Sequence, residues 1–185
     1  MQIRPTPLAE IKVILPDVKR DARGFFIETY NKRTLREVAG IDVEFVQDNH
    51  SRSEDVGVVR GLHFQIAPHA QDKLIRVLRG SILDVAVDIR HGSPTFGRHV
   101  AVIVSAENNE QVWVPKGFAH GFSTLESGTE VLYKVTDYYD PACDKGIAWN
   151  DPELRIDWQL RGEAVLSAKD RSLPELRDLP TCFRY

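Results

Sequence analysis

The chain has 185 residues, of which 42% are hydrophobic and 28% are charged, with a formal net charge of -3 at pH 7. This composition is that of an ordinary globular protein, and the length predicts a single domain over residues 1–185. The charge balance lacks the basic excess that nucleic-acid binding requires, and no apolar run is long enough to span a membrane. Because a signal-peptide segment is also missing, we expect a cytoplasmic protein.

The predicted elements, in chain order, are mostly short strands. Runs rich in β-branched and aromatic residues recur between turn-forming residues, at 11–15, 25–30, 43–50, 58–64, 74–78, 82–89, 99–105, 111–114, 121–125 and 130–137. Many short strands separated by turn signals are typical of an all-β sandwich or barrel. Arg79-Gly80-Ser81 is the clearest tight turn, and we expect it to close a hairpin.

Helical patterns are rare in the sequence. Residues 32–39, followed by Gly40, predict a short helix that ends at a glycine. From Cys143 onward the prolines and polar residues indicate a loop-rich C-terminal tail, with one helical turn after Ser167.

A histidine and two fixed cations lie close together in the middle of the chain. Arg60, His63 and Lys73 fall within fourteen residues. A histidine titrates near neutral pH, and cations beside it suit the binding of an anion and the transfer of a proton. We therefore place the functional site here. In a regular strand Arg60 and His63 face opposite ways, so a shared pocket requires a bend, which Gly61 permits.

A second histidine has the setting of a cupin motif. His120 follows Gly117 by three residues at the start of a predicted strand, as in the second motif of the cupin jelly rolls. Asp84, on a strand of alternating polar and apolar residues, is placed to orient it. Metal-binding cupins carry His-x-His in their first motif, whereas this chain has His63-Phe64-Gln65. Glutamine is a poor ligand, so we expect no bound metal.

Several long motifs in register resemble those of the dTDP-4-dehydrorhamnose 3,5-epimerases. They are Arg23-Gly24-Phe25-Phe26-Ile27-Glu28, Gln47-Asp48-Asn49-His50-Ser51, Arg60-Gly61-Leu62-His63-Phe64-Gln65, Lys73-Leu74-Ile75-Arg76-Val77, Asp84-Val85-Ala86-Val87-Asp88, Pro115 with Gly117-Phe118-Ala119-His120-Gly121-Phe122, Tyr133-Lys134 and Trp149-Asn150-Asp151-Pro152. The resemblance covers nearly the whole chain. It implies a cupin-type jelly-roll barrel or sandwich with a few short helices, free of metal and other cofactors, that is usually a homodimer.

The resemblance also implies a reaction and a set of catalytic residues. Family members invert C3 and C5 of dTDP-4-dehydro-6-deoxy-D-glucose to give dTDP-4-dehydro-L-rhamnose. By resemblance His63 is the base, Tyr133 the acid on the opposite face of the sugar, and Lys73 the cation near the charge that develops on O4. Asp170 would hold His63 in one tautomer, and His120 would contact the sugar.

Further residues are assigned to the nucleotide by the same resemblance. Arg23, Arg60 and Lys169 meet its charge and sugar oxygens, Glu28, Gln47 and Asn49 hold it, and Tyr139 stacks on thymine, with some of these residues supplied by the partner subunit. Asp144 is a departure, because the family favours glutamate there. The shorter carboxylate leaves open which contact it makes with the substrate.

Three other functions remain open at this level. One is an epimerase of another dTDP-4-keto-deoxysugar pathway that inverts only C3 or only C5, since the pocket shape decides this. The second is a jelly-roll carbohydrate-binding module without catalysis. The third is a metal-dependent cupin oxygenase.

Overall fold

The computed structural model describes residues 1–185 and is built almost entirely from short strands. In chain order they are β1 (Gln2–Pro5), β2 (Lys12–Leu15), β3 (Val18–Asp21), β4 (Gly24–Ile27), β5 (Gln47–Ser53), β6 (Val59–Gln65), β7 (Lys73–Arg79), β8 (Ser81–Asp88), β9 (Arg90–His91), β10 (His99–Ser105), β11 (Gln111–Val114), β12 (Phe118–Thr124), β13 (Thr129–Val135), β14 (Asp144–Gly146) and β15 (Phe183–Arg184). The helical segments are α1 (Lys32–Thr34), which continues as a π-helical turn over Leu35–Ala39, then α2 (Ala168–Arg171) and a 3-10 turn at Leu176–Asp178.

Two antiparallel sheets pack against each other. The larger sheet has the strand order β1-β2-β11-β7-β13-β5, and the smaller has the order β10-β8-β12-β6-β14. Ile75 and Val112 of the larger sheet share one apolar core with Ile82 and Phe122 of the smaller sheet. The prediction of a cupin-type jelly-roll sandwich is therefore confirmed.

The loop-rich tail covers the outer face of the smaller sheet. Strand β8 is buried along its whole length. Alternate side chains of a strand face opposite sides, and here both sides are covered. Ile82 faces the core between the sheets, whereas Leu83 and Val85 pack with Trp158 and Leu176 of the tail. This packing brings α2 of the tail against β6, where the predicted base lies.

The short helices lie where the sequence predicted them. Gly40 follows the π-helical turn with φ 67°, a left-handed conformation that favours glycine. Ser167 caps α2, since its hydroxyl oxygen accepts a hydrogen bond from the backbone N–H of Asp170. Two predicted strands are too long, because residues 28–30 and 43–46 pair in no strand. Their apolar side chains pack instead in a small separate core, where Tyr30 meets Phe45 edge to face.

The predicted hairpin at Arg79-Gly80-Ser81 is wrong. Strand β7 pairs with β11 and β13, whereas β8 pairs with β10 and β12. Gly80, with φ 74°, thus turns the chain from one sheet into the other. A tight turn signals a local change of direction and does not specify which strands pair.

No helix in the structure has the length and hydrophobicity needed to cross a membrane.

Candidate active site

A polar cavity of about 220 Å³ opens between the two sheets. Its lining consists of Gln47, Asn49, His63, Phe64, Gln65, Gln71, Lys73, Tyr133, Tyr139, Asp144 and Lys169. Eight of the thirteen predicted site residues are in this set. A larger groove, of about 670 Å³, runs along the free edge of β10 and contains none of them.

His63 is held by a carboxylate from the tail. Its Nε2 lies 2.5 Å from Oδ1 of Asp170, and the other carboxylate oxygen accepts a hydrogen bond of 2.7 Å from the hydroxyl of Ser167. Burial raises the pKa of the Asp170 carboxyl, but the hydrogen bonds from His63 and Ser167 outweigh it and hold the pKa below its ordinary value. An ionised Asp170 can only accept, so Nε2 of His63 carries the hydrogen. Nδ1 is thus the nitrogen free to act as a base.

The predicted bend at Gly61 is present. Gly61 has φ 119°, and the pairing register between β6 and β12 shifts between His120 and Phe122. A Cβ atom at Gly61 would lie 2.6 Å from Cα of Gly121, so the two strands approach too closely there for any other residue. The bend does not bring Arg60 into the cavity lining. Its guanidinium instead donates to the Ser53 hydroxyl and to the carbonyl oxygen of Arg52.

His120 forms a second histidine–carboxylate pair beside the first. It lies opposite His63 on the neighbouring strand, and its Nε2 is 2.8 Å from Oδ2 of Asp84. Both side chains are buried, and His120 is absent from the cavity lining. The other carboxylate oxygen of Asp84 is buried without a hydrogen-bond partner. The predicted orientation of His120 by Asp84 is therefore present.

Lys73 provides a cation with an unusual proton affinity. Its Nζ donates to the carbonyl oxygen of His63 at 3.3 Å. Burial lowers the pKa of Lys73 to about 8, although the charges of Asp144 and Asp84 oppose the shift. The Lys73 side chain is therefore mostly protonated at neutral pH. A negative charge that developed in the cavity would raise its pKa further and keep it protonated.

Tyr133 faces the same cavity from the larger sheet. Burial raises the pKa of its phenol; the charge of Arg60 partly opposes this shift, and that of Asp144 adds to it. Arg60 thus acts on Tyr133 through its charge while lying outside the lining. A phenol with a raised pKa stays protonated at neutral pH and can donate a proton.

The cavity mouth carries a linked group of polar side chains. The hydroxyl of Tyr139 donates to Oδ2 of Asp144 at 3.0 Å, and Lys169 forms an ion pair with the same oxygen. The hydrogen bond to Asp144 raises the pKa of the Tyr139 phenol. Next to them, Gln47 donates to Asn49 at 2.8 Å. Asp144 therefore reaches both neighbours despite being shorter than the family glutamate.

Besides Arg60, two predicted nucleotide contacts lie outside this cavity. Arg23 and Glu28 are at the β3–β4 hairpin, which pairs with no other strand of the chain. The Arg23 side chain contacts only Asp21 and is otherwise exposed. Glu28 lies in a separate depression beside Met1 and Phe26. Within one chain these residues cannot join the group around His63.

Three lining residues, Phe64, Gln65 and Gln71, were not predicted as site residues. Gln71 was present in the stretch that identified the site, and Gln65 was considered only as a poor metal ligand. The side chains of the two glutamines bond to backbone groups, mostly in the distant loop at 137–140, so no side-chain pattern in the sequence could have revealed them. No group of three or more histidine, cysteine, aspartate or glutamate side chains is arranged to hold a metal ion.

A jelly roll with a histidine–carboxylate pair, a phenol and an ammonium in one cavity defines a cupin-type epimerase. The model of the dTDP-4-dehydrorhamnose 3,5-epimerase family matches residues 5–178. The chain belongs to this family. The dTDP-4-dehydrorhamnose 3,5-epimerase of Pseudomonas aeruginosa is 54% identical, over 98% of this chain and 99% of its own length.

Solved structures agree with this assignment. The dTDP-6-deoxy-D-glucose-3,5-epimerase of Legionella pneumophila, crystallised in complex with dTDP-4-keto-L-rhamnose, has a TM-score of 0.96 and 47% identity, covering 100% of this chain and 98% of that chain. A 3'-monoepimerase from Streptomyces bikiniensis, in complex with dTDP-quinovose, has a TM-score of 0.88 and 33% identity, covering 96% and 88%. The fold therefore serves epimerases of one centre as well as of two.

Proposed function

We propose that this chain epimerises C3 and C5 of dTDP-4-dehydro-6-deoxy-D-glucose, giving dTDP-4-dehydro-L-rhamnose, in the cavity around His63. The observation that carries the proposal is the placement of a carboxylate-backed His63 and a protonated Tyr133 on opposite sheets, with Lys73 in the same cavity. Family membership supports the substrate, and the geometry supports the roles of the residues.

The chemistry explains why these three groups suffice. C3 and C5 both flank the C4 ketone, so loss of a proton from either carbon gives an enolate with its charge on O4. His63 takes the proton through Nδ1, and the Lys73 ammonium stabilises the charge on O4. Tyr133 then delivers its proton to the same carbon from the opposite face. The carbon gains one proton and loses one, and its configuration is inverted.

The two sheets give the required opposition of acid and base. His63 lies on β6 of the smaller sheet, and Tyr133 lies on β13 of the larger sheet. A sugar ring held between the sheets presents one face to each residue.

The mouth of the cavity suits the nucleotide. Tyr139 exposes 56% of its surface there, and an aromatic face binds a base without needing a specific hydrogen-bond pattern. Lys169 is the cation at the mouth for the pyrophosphate, and Gln47 and Asn49 are polar groups for the sugar and base. Arg60 would have to leave its partners on β5 to join Lys169 there. Asp144 would release Lys169 when the phosphate charge arrives.

We also propose that the chain forms a homodimer through the β3–β4 hairpin. Phe25 and Phe26 expose 55% and 69% of their surface on a hairpin that pairs with nothing else in the chain. Exposed aromatic residues on an unpaired hairpin are typical of an association surface. In the dimer this hairpin would bring Arg23 and Glu28 to the nucleotide end of the neighbouring cavity. The single domain and the cytoplasmic location remain predictions.

Proton NMR in D₂O with EDTA tests the reaction. Incubation with dTDP-4-dehydro-6-deoxyglucose should place deuterium at both C3 and C5, and the His63→Ala variant should show neither exchange nor conversion. Exchange at only one carbon would instead indicate a single-centre epimerase like the Streptomyces relative. If the folded protein exchanges neither proton, the proposed epimerisation is contradicted and a binding module is favoured. If activity is present without EDTA and lost with it, a metal-dependent cupin is favoured.

A further inference from the structure

The loop that carries Tyr139 is held in an unusual way. It joins β13 to β14 and exposes its aromatic ring, yet glutamine side chains from outside the loop bind its backbone. Gln65, at the end of β6, donates through Nε2 to the carbonyl oxygen of Tyr138 at 3.0 Å and to that of His69 at 2.6 Å. Its Oε1 accepts from the backbone N–H of Asp140 at 2.8 Å.

Two further glutamines complete the set. Gln71 donates to the carbonyl oxygen of Asp137 at 2.8 Å, and Oε1 of Gln47 accepts from the backbone N–H of Tyr139 at 3.1 Å. Each residue from 137 to 140 thus has one backbone group bound by a glutamine side chain. The three glutamines come from separate parts of the chain, so the loop is tied to both sheets.

Gln65 has no free group left for a ligand. It exposes only 4% of its surface, both hydrogens of its amide are donated, and its oxygen is occupied. All three of its side-chain hydrogen bonds are therefore made to backbone groups, although it lines the cavity two residues after His63 on the same strand. Two of its three hydrogen bonds go to the loop that carries Tyr139, and the third ties it to His69, so this buried amide joins the loop to the segment after β6 and restricts the loop's shape.

We infer that Gln65, assisted by Gln71, is a positioning residue that holds Tyr139 in its nucleotide-binding conformation before the nucleotide arrives. Binding to a fixed platform avoids the entropy cost of ordering the loop. The inference rests on the proposed role of Tyr139 as the thymine platform. It adds that the affinity for the thymidine nucleotide depends on a buried residue whose amide hydrogen bonds are all made to the protein backbone.

The first experiment measures dTDP binding to Gln65→Met by isothermal titration calorimetry. Methionine keeps the length of the side chain and removes its hydrogen bonds. We expect the Kd for dTDP to rise about fivefold, because binding must then also order the loop. The KM for the nucleotide sugar should rise by a similar factor, and kcat should fall less. Gln111→Met is the matched control, because Gln111 is 2% exposed and its amide donates only to the carbonyl oxygen of Thr29, outside the cavity.

A double-mutant cycle separates this inference from the role of Tyr139. Tyr139→Ala should weaken dTDP binding on the order of tenfold through lost stacking, and adding Gln65→Met should then weaken it no further. Unchanged binding by Tyr139→Ala alone would overturn the thymine platform itself. Unchanged binding by Gln65→Met, or a loss that multiplies with that of Tyr139→Ala, would overturn the positioning role while leaving the platform intact.

Gln71→Met gives a second route if Gln65→Met does not fold. Gln71 is only partly buried and makes one hydrogen bond to the loop, so its loss is tolerated more easily. We expect about a twofold rise in the Kd for dTDP, again absent in the Tyr139→Ala background. An equal rise in both backgrounds would contradict the inference.

Discussion

Nε2 of His63 lies 2.5 Å from Oδ1 of Asp170, although 107 positions of the chain separate the two residues. The tail packs across the outer face of the smaller sheet, and this packing brings Asp170 to β6, the strand that carries His63. Ser167 fixes the carboxylate by donating to its second oxygen. The orientation of the His63 imidazole therefore depends on an element outside the two sheets.

Replacing Asp170 with asparagine should reduce kcat strongly while leaving the fold intact. The amide can present an N–H to Nε2, which favours the tautomer with the hydrogen on Nδ1 and removes the basic lone pair from the cavity. We expect a loss of about 10²-fold or more, within the range for a positioned acid or base. Steady-state kinetics measure this loss. The control is Asp178→Asn, at a carboxylate in the tail that makes no side-chain hydrogen bond, and equal losses in both variants would argue against the tautomer role.

Tyr133→Phe should separate proton removal from inversion. His63 would still exchange a substrate proton with solvent, but the opposite face would lack its donor. We expect substrate recovered from D₂O to contain deuterium while conversion to the epimer falls by about 10²-fold or more. Proton NMR follows both. Tyr138→Phe, at an exposed phenol outside the cavity lining, serves as the control. Normal inversion by Tyr133→Phe would show that another group is the acid.

The charge of Lys73 should set the alkaline limit of activity. With a pKa of about 8 in the substrate-free chain, Lys73 loses its charge as the pH rises through about 8, and kcat/KM should fall there. A pH–rate profile measures this limit. Lys73→Ala should cost on the order of 10²-fold at pH 7, as for one oxyanion donor, and its profile should lack the alkaline limb. An unchanged alkaline limb in the variant would assign that limb to another group.

The same residue should reduce stability at neutral pH. The folded-state pKa of Lys73 is below its ordinary value of 10.5, so the unfolded chain binds more protons between about pH 8 and 10.5. The contribution of Lys73 to the free energy of unfolding is therefore most unfavourable below about pH 8 and is relieved as the pH rises through that window. We expect Lys73→Met to raise the Tm at pH 7 more than at pH 10. Equal shifts at both pH values would mean that packing, rather than charge, is responsible.

Gly61→Ala should destabilise the protein markedly. The new Cβ would meet Cα of Gly121 at 2.6 Å, and φ of 119° is unfavourable for alanine. Overpacking and backbone strain together predict a loss of about 2–4 kcal/mol in the free energy of unfolding. Urea denaturation measures the loss. Gly162→Ala is the control, since nothing lies within 4 Å of its added Cβ and its φ is not positive. A loss below about 0.5 kcal/mol at Gly61 would mean that the strands can separate.

The sequence was most informative where a property is local. The strands at 99–105 and 111–114 have the predicted bounds, because alternating β-branched residues between turn signals determine a strand by themselves. The identity of the central site followed from motifs, and the cavity contains His63, Lys73 and Tyr133 together.

Long-range relationships were harder to predict. The turn at Gly80 was recognised, but its role as a corner between sheets depends on strands far away in the sequence. The glutamine contacts to the loop at 137–140 likewise join distant segments through backbone groups, which leave no side-chain pattern. Arg60 was assigned to the pocket by its place in the same stretch as His63 and by the family resemblance, yet its guanidinium hydrogen-bonds to Ser53 and Arg52 on β5.

The late position of Asp170 has a consequence during protein synthesis. A chain is synthesised from its N-terminus, so the segment that carries His63 has been made long before Asp170 leaves the ribosome. Until then the imidazole has no carboxylate to orient it. The protein would therefore gain efficient proton transfer only after most of the chain has been translated. A chain terminated before Asp170 would contain the predicted base and acid but would lack efficient turnover.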